Sequence, residues 1–83
     1  MDTKRFIIDF ANQLDETPAE ELKPETNFRE LQEWSSLIAL SIIAMADQEY
    51  GVKVTGDEIR NSHTINDIYE VIKSKKTAFE HPL

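Results

Sequence analysis

Apolar residues recur along this chain mainly at the spacing of an α-helix. From Thr3 to Leu14, the side chains of Ile7, Phe10, Ala11 and Leu14 fall at i, i+3, i+4 and i+7, which predicts an amphipathic helix with that stripe turned to a core. A long polar connection follows, punctuated by Thr17, Pro18, Pro24 and Thr26 and reaching Trp34. Leu22, Phe28, Leu31 and Trp34 are spaced along it as anchors, and connections of this length are often functional. The Ser35-Ser36 pair opens a second helix that runs to Tyr50, where Gly51 supplies the stop. Val52 and Val54 are the only alternating pair, too short for a sheet, and Asp57 to Asn61 can make one helical turn. Thr64-Ile65-Asn66-Asp67 has the form of a capping box with Asp in place of Glu, and Ile65, Ile68, Tyr69 and Ile72 give the stripe of a last long helix. The expectation is an all-α fold, a small four-helix bundle of three long helices and one short, with a long loop between the first two. One domain over residues 1–76 is expected, followed by a short tail, 77–83.

The second helix departs from the ordinary amphipathic pattern. Ala39, Ile42, Ile43, Ala46 and Tyr50 share one arc suited to a core, but Leu37, Leu40 and Ala44 form a second apolar stripe, with Ile38 and Met45 on the remaining flank. A helix apolar on most sides is either central in a large protein or exposes hydrophobic surface for a purpose. With 83 residues there are too few other elements to surround it, so part of its surface is expected to meet a partner or a cargo.

Charge narrows the classes of partner. Acidic residues outnumber basic ones 16 to 9, for a net charge of −7, which disfavours direct contact with nucleic-acid phosphates and favours partners with basic surfaces. Most of the excess lies between Asp15 and Glu70, while Lys73, Lys75 and Lys76 gather where the last helix ends and complement its dipole. The absence of cysteine excludes disulfides, thiolate catalysis and cysteine-ligated metal centres. No apolar run approaches the length of a membrane span and no signal-like segment opens the chain, so a cytoplasmic monomer is expected.

Chemistry-bearing residues are few. Serine before an apolar run ordinarily caps the helix. Here there are two, so if Ser35 caps, Ser36 occupies the first helical position, where the dipole and unpaired amides would favour a phosphate ester. His63 and His81 are isolated, and their ordinary role is as solvated loop residues; nothing pairs them with a nucleophile. Asp57 and Glu58, with Asp47 and Glu49, would at most attract a divalent cation weakly, so neither a catalytic nor a metal-ligating residue is expected.

Phe28-Arg29-Glu30-Leu31, then Glu33-Trp34-Ser35-Ser36-Leu37, then Ile42-Ile43 and Asp47-Gln48-Glu49-Tyr50-Gly51-Val52 together resemble the centre of an acyl carrier protein, and the likeness of helix order and spacing extends over nearly the whole chain. In that family an Asp-Ser-Leu motif opens the second helix and its serine carries 4′-phosphopantetheine. The resemblance therefore implies Ser36 as the attachment site, followed by Leu37. It further implies a protein that is no enzyme but carries acyl groups as thioesters, with a phosphopantetheinyl transferase and acyl-processing enzymes as partners. Two departures stand out: Ser35 replaces the motif's Asp, and Ile38, Ser41 and Gln48 stand where many members place acidic residues. They imply a specialised carrier whose second helix docks by apolar contact more than by charge, through Leu37, Ile38, Leu40 and Met45 with Asp47. An amino-acid carrier shares the same motif. An unmodified interaction module, docking the apolar helix in a partner's groove, is the alternative from another class.

Overall fold

The computed structural model describes residues 2–80, with the side chains of residues 77–80 outside the description. Among the described residues there are four α-helices and no strand: α1, Thr3–Ala11; α2, Ser36–Tyr50; α3, Gly56–Arg60; and α4, Ile65–Glu80. Short 3-10 turns at Ala19–Glu21 and Phe28–Glu30 shape the long loop between α1 and α2. The all-helical bundle of three long helices and one short is as the periodicity predicts. The last helix continues through residues 77–80, whereas His81 and Pro82 of the expected tail lie outside the described residues.

Helix α1 begins at an Asp2 cap and ends sooner than its pattern suggests, with Asn12 as C-cap. Leu14 reaches the core from the turn beyond the helix, not from its last turn. The fully buried side chains of α1 are Phe6 and Phe10, with Ile7 and Ala11 packed at the edge of the core, so the stripe is rotated by one residue from the expected one. That rotation brings Asp9 into the interior. Its carboxylate accepts hydrogen bonds from Tyr50 Oη at 2.7 Å and Arg5 Nε at 3.2 Å, which resolves the cost of burying a charge.

Aromatic rings link the two ends of the bundle. Phe6 lies 5.9 Å from Tyr50 and 5.6 Å from Tyr69, Phe10 stands 6.2 Å from both Phe6 and Phe28, and Phe28 lies 4.6 Å from Trp34. Their inclined ring planes suit the quadrupoles of the faces and edges. The acidic loop is thus fixed to the core by Leu22, Phe28 and Trp34, as their spacing predicts. It is closed polar-side by Glu33, whose carboxylate accepts from the amides of Asp15 and Glu16 and the hydroxyl of Thr17.

Helix α2 packs against all three other helices. Gly51 ends it in the left-handed conformation (φ 65°), where a Cβ would be strained, and its N–H returns to the carbonyls of Ala46 and Asp47. Because neighbours approach from three directions, the buried arc is centred on Ile42, Met45 and Ala46, while Ala39, Ile43 and Tyr50 are only half-buried. Met45, expected on the docking flank, is 3% exposed and belongs to the core.

Candidate functional site

The start of α2 separates the two serines. Ser35 is extended (φ −156°, ψ 170°), its Oγ accepts from the Ile38 N–H at 3.3 Å, and its carbonyl accepts from the Ala39 N–H at 3.0 Å. One hydroxyl is therefore consumed by the cap. Ser36 is the first residue of the helix and exposed, and among the described residues its hydroxyl has no hydrogen-bond partner. The Ser36 and Leu37 amides, two of the donors a helix start leaves orphaned, are also unpaired among the described residues. A phosphate ester on Ser36 fits this setting: the hydroxyl is accessible, the helix end is positive, and nearby N–H groups can approach the ester oxygens.

Beside Ser36 lies an open cleft of about 580 Å³ between α2, α3 and the end of the long loop. Trp34, Leu40, Ile43 and Ile59 give its lining an apolar part, and Arg29 and Arg60 give it a polar part. Arg29 Nη2 donates to the Ile59 carbonyl at 3.3 Å and so ties the loop to α3. Nothing in the local sequence brings residue 29 to residue 59, so sequence reasoning passes over both arginines.

Helix α3 is itself held by charge. Thr55 and Glu58 form a reciprocal capping box, and the Glu58 carboxylate also accepts from Lys75 Nζ of α4 at 2.8 Å. Partial burial would push the Glu58 carboxyl up, but the Lys75 ammonium and the Thr55 backbone bond outweigh it and hold it below its ordinary value. Thr55-x-x-Glu58 is the sequence sign of such a box, and Lys75 has no local sign at all.

The remaining expected site residues divide. Leu37 is 76% exposed and Leu40 61%, so both present apolar surface beside Ser36. Ile38 is half-buried against the core, and Met45 is enclosed by it. Asp47 is exposed at the far end of α2 and pairs with Lys53 at 3.2 Å. The acidic residues considered for a cation instead face bases: Glu49 meets Arg5, Asp57 meets Arg60 and Glu58 meets Lys75. Among the described residues no three His, Cys, Asp or Glu side chains gather to hold a metal ion. His63 is exposed in the turn before α4, and its backbone N–H donates to the Asp67 carboxylate.

An exposed serine stands at the open start of the second helix of this small acidic bundle, beside an apolar cleft. The family described as "Phosphopantetheine attachment site" matches residues 5–72, and the chain belongs to this family, the phosphopantetheine-dependent carriers among which acyl carrier proteins are counted. It is similar to the acyl carrier protein of Acidothermus cellulolyticus, with 24% identity over 66 residues, covering 80% of this chain and 79% of that protein. No solved structure matches the chain. The protein is accordingly a carrier and not a catalyst, its cofactor is 4′-phosphopantetheine, and carriers of this family work with a phosphopantetheinyl transferase and acyl-processing enzymes. No helix among the described residues is long and apolar enough to cross a membrane.

Proposed function

We propose that Ser36 bears the phosphopantetheine arm and that the protein carries acyl groups on it to enzymes of fatty-acid, polyketide or related synthesis, as a cytoplasmic monomer. The supporting observation is the division of labour at the helix start: Ser35 is spent on the cap, whereas Ser36 is exposed beside two unpaired amides. When attached, the group supplies a flexible tether ending in a thiol, which a chain without cysteine lacks. Tethering keeps the acyl group at high effective concentration near each docked enzyme. The chain's own residues do the rest. The amides of Ser36 and Leu37 face the ester, Leu37 and Leu40 with the edge of Ile38 form an apolar docking patch, and acidic residues such as Asp47 steer encounter with basic surfaces.

The test is intact mass after incubation with coenzyme A, magnesium and a broad-specificity transferase. One added phosphopantetheine per chain is expected. With acyl-coenzyme A in its place, the added mass should include the acyl group, and hydroxylamine should remove that group as from a thioester. No mass gain with several transferases would overturn the proposal in favour of an unmodified interaction module. Loading of the attached arm by an aminoacyl-activating enzyme and not by an acyl-transferring one would make the cargo an amino acid.

A further inference from the structure

The cleft beside Ser36 carries a charge opposite to that of the protein. The chain holds three arginines, Arg5, Arg29 and Arg60, and two of them line this cleft, whose lining contains no acidic side chain. They also approach it from different elements: Arg29 comes from the long loop and is fixed by the Ile59 carbonyl, while Arg60 lies along α3, its Nη1 near the open face of Gly56. Arg60 also meets the Asp57 carboxylate, an exposed pair that screens but does not exhaust a five-donor guanidinium. A plain hydrocarbon cargo uses only the wall of Leu40, Ile43 and Ile59. An anion at the end of such a chain would meet two guanidinium groups in the cleft lining, on a protein whose net charge is −7.

We propose that Arg29 and Arg60 make this cleft selective for an acyl chain ending in a carboxylate, an ω-carboxyacyl thioester, over the plain alkanoyl chain of equal length. This rests on the reading that Ser36 bears the arm. The hydrocarbon part lies on Leu40, Ile43 and Ile59, and the carboxylate is held by charge-assisted hydrogen bonds from the two guanidinium groups.

The experiment loads the full-length protein with arms bearing adipoyl, labelled with carbon-13 at the distal carboxyl, or hexanoyl, and confirms each by intact mass. The distal carboxyl is then titrated by NMR in the wild type and in Arg29→Gln/Arg60→Gln, after circular dichroism shows both folded. The carboxyl is expected to titrate about half a unit to one unit lower in the wild type, since neighbouring positive charge favours the carboxylate. Arg29→Lys/Arg60→Lys should restore most of the shift and keeps the comparison valid if a glutamine variant folds poorly. Lys4→Gln/Lys73→Gln removes equal charge from exposed positions outside the cleft lining and should leave the titration unchanged. The Nε resonances of both arginines should move with adipoyl and not with hexanoyl. Identical titration in the wild type and the arginine variants overturns the proposal. So does an equal response to the lysine pair, or movement of the phosphodiester phosphorus signal alone, which would mean that the arginines read the arm. Absence of any mass gain would instead refute attachment at its root, and the cargo proposal with it.

Discussion

The starts of α4 and α2 are built from the same kind of residue and finished differently. At α4, Thr64 Oγ1 accepts from the Asp67 N–H, and the Asp67 carboxylate accepts from the amides of Thr64 and His63. The next two donors are also taken: the Ile65 N–H goes to the Thr26 carbonyl at 3.1 Å and the Asn66 N–H to the Pro24 carbonyl at 2.8 Å. That helix end is sealed by the long loop. At α2, Ser35 provides one cap bond, and the amides of Ser36 and Leu37 remain open beside an exposed hydroxyl. Both ends carry the same dipole, so the difference lies in what the surrounding chain does with it. Sealing an end stabilises the fold, and an open one leaves donors that a phosphate ester on Ser36, as proposed, would use.

The sharpest way to break this comparison is to remove the ring that joins the two regions. Phe28 is fully buried in the loop between the sealed end and Trp34 at the cleft, and Phe28→Ala should cost about 3–5 kcal/mol in denaturant unfolding, much of the stability of so small a domain. Loss of less than about 1 kcal/mol would mean that the loop is not tied to the core as described. On the sealed end itself, Asp67→Ala should cost on the order of 1 kcal/mol by removing one half of the capping box.

Acid should sharpen the same contrast. Asp67 is held below its ordinary value by the His63 and Thr64 amides; Glu33, despite desolvation, by Thr17, Asp15 and Glu16; and Glu58 by Lys75 and Thr55. Each carboxyl is depressed in the folded state, so each contributes stability above its unfolded value that is lost as pH falls through the folded one. The melting temperature should therefore fall as pH drops from the ordinary values, 4.5 for Glu and 3.8 for Asp, to below them, and Asp67→Ala should flatten part of that slope. A melting temperature that rises over this range would contradict the bonding described.

The smallest effect on folding is expected at the open end. Leu40→Ala should change stability by no more than about 0.5 kcal/mol, because the side chain is largely exposed, yet slow turnover by a partner enzyme about tenfold where that leucine is buried on docking. Asp47→Asn, which loses one exposed ion pair, should slow it less at physiological salt. The reverse ranking would make the docking face electrostatic.

Much of this architecture was legible in the sequence because it is local. The stripe of α4, its Thr64–Asp67 box and the Gly51 stop all follow from spacing over one or two turns, whereas spacing alone left open which of Ser35 and Ser36 caps α2. What was not legible depends on which neighbours surround a helix. Met45 lies on the flank of an idealised α2, but that helix packs against three others and Met45 is taken into the core. The one-residue rotation of α1, which buries Asp9, depends on a Tyr50 hydroxyl 41 positions away. Arg29 and Lys75 act across 30 and 17 positions, and no periodicity reports them.

The most direct test of the central claim compares Ser35→Ala and Ser36→Ala by intact mass after treatment with coenzyme A and a transferase, with thermal unfolding of each. Ser36→Ala should gain no phosphopantetheine and melt as the wild type does, whereas Ser35→Ala should still be modified and lose about 0.5–2 kcal/mol of stability. Modification retained in Ser36→Ala and lost in a folded Ser35→Ala would contradict the account.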